Sequence, residues 1–127
     1  MPDLEPWKAY VRQIADLMQL RDWEFRLPDE RPTGDTAMAS VVCWQGRRNA
    51  TIRFAQSFFD EEPAEQRYVV VHELIHCRQA HADDIVERDF SPAKYSEWLK
   101  TMEYGVDALA RALAPHLPLP SHVEAKP

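Results

Sequence analysis

Apolar residues recur at two different spacings in the first half of the chain. Across residues 6–20 they recur every three or four positions, which predicts an amphipathic helix. Apolar and polar side chains then alternate or form short β-branched runs three times, at residues 21–27, 36–44 and 49–55. Each of these runs predicts a strand. The short turn at residues 45–48 predicts an antiparallel hairpin between the last two strands, with Gly46 as the residue best suited to a positive φ.

Helical spacing returns in the second half of the chain. Residues 63–82 predict one helix with apolar side chains on nearly every side, so this helix should be buried. The charged residues 83–90 predict a connection, and Ser91-Pro92 predicts the start of a second helix, residues 92–114. The second helix is expected to face the core with one stripe of side chains: Tyr95, Trp98, Met102, Val106, Leu109 and Leu113.

This order of elements predicts an α+β domain. An N-terminal helix, a small three-stranded and mostly antiparallel sheet, and two long helices account for residues 1–114, which we expect to form a single domain. Prolines recur in residues 115–127, so this segment is predicted to be an extended or disordered tail.

Composition and charge restrict the classes of function. The formal net charge of -6 gives no electrostatic support to a nucleic-acid partner. No apolar run approaches the roughly 20 residues that span a bilayer, and the N-terminus lacks the pattern of a secretory signal. We therefore expect a cytoplasmic protein without membrane contact. In that compartment Cys43 and Cys77 are expected to be buried thiols, and a disulfide between them is the alternative.

The chemistry of the chain is concentrated in His72-Glu73-Leu74-Ile75-His76. Histidines four residues apart on a helix project from one face, so both can bind the same metal ion. The glutamate between them points roughly 100° away around the helix. It is therefore poorly placed to be a third ligand, but it can act as a general base towards a water bound to zinc.

A third metal ligand is predicted on the following helix. Glu103 and Asp107 are four residues apart and so share one face, next to the apolar stripe. Glu103 is expected at a buried edge, where its carboxylate would complete a two-histidine, one-glutamate zinc site. Asp107 is expected to accept the ring N–H of His72 and so to fix the orientation of that ligand. A solvated Glu–Asp pair is the alternative interpretation of this spacing.

The combined motifs resemble those of the gluzincin clan of zinc metallopeptidases. The pattern His72-Glu73-x-x-His76 followed by Glu103-x-x-x-Asp107 covers residues 63–114, and the short chain is similar to the single-domain minigluzincins. The resemblance implies a zincin-like fold, with one helix carrying the two histidines and a C-terminal helix carrying the glutamate. The 26 residues between His76 and Glu103 exceed the spacing in thermolysin, a familiar member of the clan.

The resemblance also implies an activity. A zinc metalloendopeptidase would hydrolyse peptide bonds of a peptide or protein substrate, with Glu73 taking the proton of the attacking zinc-bound water. The strand at residues 49–55 would hold an extended substrate through Thr51, Ile52 and Arg53. The donor of a hydrogen bond to the developing anion is expected to be a tyrosine, and the candidates are Tyr95 and Tyr104.

Other histidine-based sites are disfavoured. The metzincin pattern requires glycine and histidine three and six residues after its second histidine, where this chain has Gln79 and Ala82. His81 is expected to point away from the metal-binding face of the helix. His116 and His122 lie in the predicted tail and are expected to be solvated.

Two other functions fit the same motifs. The chain can be a zinc-stabilised binding module, such as an accessory protein of a phage or mobile element, with little or no proteolysis. It can also be a latent peptidase whose cleft is blocked by residues 115–127. The presence of Glu73 favours catalysis, because a purely structural zinc site has no use for a general base.

Overall fold

The computed structural model describes residues 2–32 and 37–120, which form an α+β fold. Five α-helices and three strands are present in this part of the chain. The helices are α1 Glu5–Leu17, α2 Gln56–Phe59, α3 Pro63–Arg78, α4 Ala80–Asp89 and α5 Pro92–Leu113, and the strands are β1 Glu24–Arg26, β2 Ala39–Trp44 and β3 Asn49–Phe54. Among these helices, none combines the length and the apolar composition that a membrane crossing requires.

The sheet is mixed, with the order β1-β3-β2. The hairpin prediction is confirmed, because β2 pairs antiparallel with β3, from Ala39 opposite Phe54 to Trp44 opposite Asn49. The expectation of a mostly antiparallel sheet is wrong for the other pair, since β1 runs parallel to β3. Strand β2 pairs with one side of β3, and β1 pairs with the other. Consequently β2 is an edge strand and β3 is the central strand. The predicted strand at residues 36–44 begins later, at Ala39, and residue 36 lies outside the described residues.

The hairpin turn differs from its prediction. Gln45–Arg47 form a turn of 3-10 helix, and Arg48 has a φ of 51°. Gly46, which was expected to take the positive φ, does not. The 3-10 turn keeps right-handed backbone through Gly46 and places the left-handed residue at the end of the turn. The Arg48 carbonyl then accepts a hydrogen bond of 2.9 Å from the N–H of Glu24, at the start of β1.

The core lies between the sheet and the helices α1 and α3. The predicted burial of the histidine-bearing helix is confirmed, since Val70, Val71 and Leu74 are completely buried. Aromatic side chains extend the core towards α2, where Phe54 stacks on Phe58 with ring centroids 4.2 Å apart. Packing on several sides of α3 fixes the helix that carries the two histidines.

The predicted helix at residues 63–82 is divided into two helices. Helix α3 ends at Arg78, Gln79 has a φ of -101° and a ψ of 2°, and α4 begins at Ala80. The charged residues 83–90, which were expected to form a connection, therefore belong mostly to a helix. Only Ala80 of α4 is buried, so the carboxylates of this helix stay near solvent and do not oppose helix formation.

Helix α5 contacts α3 through a different face than predicted. Val106 is the one fully buried residue of the expected apolar stripe, whereas Leu109 and Leu113 are 53% and 37% exposed. Ala110 is buried in their place, because a small side chain allows α5 to approach α3 closely. Helix α5 is thus rotated about its axis relative to the prediction, and the rotation turns Glu103 towards α3. Glu103 lies four residues before Asp107, on the same side of the helix.

The chain continues to pack beyond the predicted domain boundary at residue 114. Ala114–His116 form a turn of 3-10 helix, and Pro120 is buried. The carbonyl of Leu117 accepts a hydrogen bond of 3.0 Å from the Arg67 guanidinium, and the carbonyl of Pro118 accepts one of 2.8 Å from the Tyr10 hydroxyl. Residues 114–120 are thus part of the domain, and residues 121–127, including His122, lie outside the described residues.

Candidate metal centre

His72 and His76 lie one turn apart on α3, as their spacing predicts. Their ring centroids are 5.1 Å apart, and both side chains are partly buried at the bottom of a cleft. The apolar residues on the remaining faces of α3 hold this helix in the core, so the two imidazoles have little freedom to separate.

Glu103 of α5 meets both histidines. Its Oε1 is 2.8 Å from Nε2 of His72, and its Oε2 is 3.2 Å from Nε2 of His76. One donor atom from each of the three residues lies within 4.8 Å of the others, so the group could hold a metal ion. The expectation that Glu103 is buried is wrong, because its side chain is 56% exposed. It lines the cleft together with the two histidines.

Two imidazoles and a carboxylate are donors that first-row divalent metal ions, zinc among them, accept. Imidazole nitrogen and carboxylate oxygen bind zinc at about 2.0–2.2 Å, which puts neighbouring ligand atoms of a tetrahedral site about 3.4 Å apart. The distances from Glu103 to His72 and His76, 2.8 and 3.2 Å, are shorter than that separation, so the side chains would have to move apart to admit an ion. Three protein ligands leave one coordination position open, a feature of catalytic zinc sites.

Glu73 is buried beside the histidines. Its side chain lines the same cleft, the residue is only 7% exposed, and Oε1 lies 3.7 Å from Nδ1 of His72. The carboxylate therefore approaches the ring nitrogen that is turned away from Glu103. Glu73 therefore lines the cleft without belonging to the group of three donors.

Burial and neighbouring carboxylates shift the pKa of His72 in opposite directions. Burial lowers the pKa of this imidazole, whereas Glu73, followed by Glu103 and Asp107, raises it. The net effect in the metal-free protein is a pKa above the ordinary value for histidine. The site is therefore surrounded by carboxylates, and their negative charge also favours the binding of a divalent cation.

Asp107 has a different direct partner than expected. The Tyr68 hydroxyl donates a hydrogen bond to Oδ1 of Asp107, and no hydrogen bond joins Asp107 to His72 among the described residues. The Arg111 guanidinium lies 3.5 Å from the centre of the Tyr68 ring. Burial, followed by the hydrogen bond to Asp107, raises the pKa of Tyr68 to about 12. Tyr68 therefore remains a hydroxyl donor at neutral pH.

Tyr68 is a site residue that the motif did not reveal. It lies four residues before His72 on α3, and the two rings are 5.7 Å apart. The signal in the sequence was its spacing, because residues 68, 72 and 76 share one face of a helix. The run Tyr68-Val69-Val70-Val71, taken alone, instead suggested a strand.

The cleft has a volume of about 750 Å³ and is lined by β2 and by the helices α3, α4 and α5. Residues 37–43 form one wall, and the opposite wall comes from α3, α4 and α5. Five carboxylate residues line it without any lysine or arginine among the described lining residues: Glu65, Glu73, Asp83, Asp84 and Glu103.

The predicted substrate-binding residues Thr51, Ile52 and Arg53 do not line the cleft. They lie on β3, which is the central strand, and Thr51 and Ile52 are buried. Backbone pairing to β2 occupies the side of β3 that faces the cleft. The expectation of an edge strand at residues 49–55 is therefore wrong, and the available edge belongs to β2.

The two candidate tyrosines lie in different places. Tyr95 lines the cleft that contains the histidines, whereas Tyr104 is exposed in a neighbouring groove with Lys100 and Asp107. Tyr95 shares its cleft with all three donor residues, and Tyr104 shares its groove with His72 and Glu103. His81 and His116 are exposed, as expected.

Comparison of the chain with protein-family models, with curated protein sequences and with solved structures gives no match.

Proposed function

We propose that the protein is a zinc-dependent metallopeptidase with a zincin-like site of the gluzincin type. The observation that carries this proposal is the meeting of His72, His76 and Glu103 from two helices, beside the buried carboxylate of Glu73. The direct test is peptide hydrolysis that appears as zinc is bound.

His72, His76 and Glu103 would hold the metal through Nε2, Nε2 and a carboxylate oxygen. When bound, zinc polarises a substrate carbonyl and lowers the pKa of a coordinated water towards neutrality. Glu73 accepts the proton of the attacking water on its carboxylate and then delivers it to the nitrogen of the departing amine. The burial of Glu73 keeps its carboxylate in a fixed place for both transfers.

The open cleft favours catalysis over a purely structural role for the metal. Structural zinc sites are closed by four protein ligands, whereas the described residues supply three donors. The exposed position of Glu103 leaves the centre reachable from the cleft. A binding module stabilised by zinc would need neither this access nor a carboxylate at residue 73.

The edge strand β2 is the proposed binding surface for an extended peptide. One side of β2 pairs with β3, and residues 37–43 line the cleft along the other. A peptide that pairs with this free edge gains backbone hydrogen bonds and lies opposite the histidines on α3. Oγ of Ser40 is buried without a hydrogen-bond partner in the described structure, and a bound peptide could supply one.

The carboxylates of the cleft predict a preference for basic peptides. Asp83 and Asp84 line the cleft at the start of α4 and are not assigned to the metal. The Asp83→Asn, Asp84→Asn double variant is expected to lower kcat/KM about fivefold for a peptide that contains lysine or arginine, because exposed charge pairs contribute up to about 1 kcal/mol. Hydrolysis of a neutral peptide should change little.

The matched control for this prediction is Asp89→Asn. Asp89 lies on the same helix, outside the cleft, and pairs with Arg88. The two peptides are compared at low and at high salt, since salt should weaken the preference. An equal loss of hydrolysis for basic and neutral peptides in the double variant would contradict a role of these charges in selecting the substrate.

A further inference from the structure

The two cysteines of the chain lie next to each other where β2 packs against α3. Cys43 belongs to β2 and Cys77 to α3, and their Sγ atoms are 3.4 Å apart. Both are free thiols. Cys43 is partly exposed and lines the cleft, whereas Cys77 lies behind it and is 1% exposed. One thiol of the pair thus lies on the edge strand of the proposed peptide site, and the other belongs to the residue that follows His76.

We propose that Cys43 and Cys77 form a thiol-modification site, which a low-molecular-weight disulfide converts into an intramolecular disulfide. A disulfide bond measures about 2.05 Å, so the two sulfurs must approach by only about 1.4 Å. Cys43 lies on β2, which pairs with β3 in the sheet, and Cys77 lies on α3, which packs in the core. The existing fold therefore already holds the two sulfurs within about 1.4 Å of bonding distance.

The reaction proceeds by two thiol–disulfide exchanges. The Cys43 thiol loses its proton, and its sulfur attacks one sulfur of the small disulfide. The S–S bond of the reagent breaks, and one small thiol leaves with the proton. The Cys77 sulfur then attacks Sγ of Cys43, which releases the second small thiol with the proton of Cys77. The protein gives up two electrons and two protons in total, and the reagent is reduced to two thiols.

The order of these steps follows from exposure. Cys43 faces the cleft and can meet a small molecule, while Cys77 is reached only through Cys43. The product closes a loop with 33 residues between the two cysteines and ties β2 to α3. Because β2 lines the cleft opposite the histidines, the bond would fix the separation of the two walls.

The test uses folded protein, with and without added zinc, treated with oxidised glutathione and then alkylated and digested without reductant. We expect a cross-linked peptide pair that contains Cys43 and Cys77 and is lighter by two hydrogen atoms than the sum of its parts. The disulfide constrains the unfolded chain, so Tm should rise on the order of 10 °C and return to its starting value after reduction.

Cys43→Ser is the control, since this residue is only partly buried and its replacement leaves Cys77 in the core. The treated variant should show neither the cross-link nor the rise in Tm. A stable glutathione adduct on Cys43, a dimer linked between chains, or two thiols that remain free would overturn the proposal. None of these measurements involves peptide hydrolysis, so the outcome is independent of the proposed function.

Discussion

Glu73→Gln is expected to bind zinc as the unaltered protein does and to hydrolyse peptides at least about a hundredfold more slowly, since general-base catalysis contributes about 10²- to 10⁴-fold. Glutamine preserves the size of the side chain but cannot accept a proton at neutral pH. Glu73 lies outside the group of donors formed by His72, His76 and Glu103, so its replacement leaves the metal ligands in place.

The measurement pairs metal analysis with kcat on a neutral peptide. Glu65→Gln is the matched control, because Glu65 lies on the same helix and lines the same cleft, but pairs with Arg111 at 3.2 Å and lies seven residues before His72. This control should retain hydrolysis. Bound zinc with unchanged turnover in Glu73→Gln would contradict the role of Glu73 as general base.

His72→Ala is expected to lose zinc and the stability that zinc confers. Removal of one of three donors leaves an incomplete site, and the free energy of metal binding is linked to folding. At a thousandfold excess of zinc over Kd this linkage contributes about 4 kcal/mol, so the variant should unfold on the order of 10 °C lower than the unaltered protein at that zinc concentration. Without zinc, the difference between the two proteins should be much smaller.

The control for this prediction is His81→Ala. His81 is exposed on α4 and belongs to no group of donors among the described residues. Metal content by atomic absorption and thermal unfolding with and without zinc are measured on both variants. One metal ion per chain in His72→Ala would show that the ligand assignment is wrong.

The local part of the site could be predicted from the sequence. The spacing of His72 and His76 places both rings on one face of a helix whatever the rest of the fold, because helical geometry repeats every 3.6 residues. The spacing of Glu103 and Asp107 likewise put both side chains on one side of α5. These predictions depend only on periodicity within one element.

The strand that borders the cleft could not be predicted in the same way. Alternating side chains identified β2 and β3 as strands and the turn identified them as a hairpin, but neither pattern encodes which strand is central. That position is decided by β1, which pairs with β3 in parallel from a distant part of the sequence. The resemblance therefore placed the substrate on residues 49–55, one strand too far from the cleft.

The packing of α5 was misjudged for a related reason. Large apolar residues such as Leu109 and Leu113 suggested the buried face, yet the closest approach to α3 occurs at Val106 and Ala110. Small side chains carry little weight in a hydrophobic pattern but decide how near two helices can come. The same limitation hid the hydrogen bond from Tyr68 to Asp107, which depends on how the two helices are rotated against each other.

Titration of zinc into metal-free protein, with cleavage of a broad peptide library as the readout, tests the central claim most directly. We predict that the cleavage rate rises with added zinc, reaches its maximum at one equivalent per chain and disappears after chelation. Cleavage without zinc would contradict the proposed chemistry. One bound zinc per chain without cleavage of any peptide would contradict the peptidase and identify the site as structural.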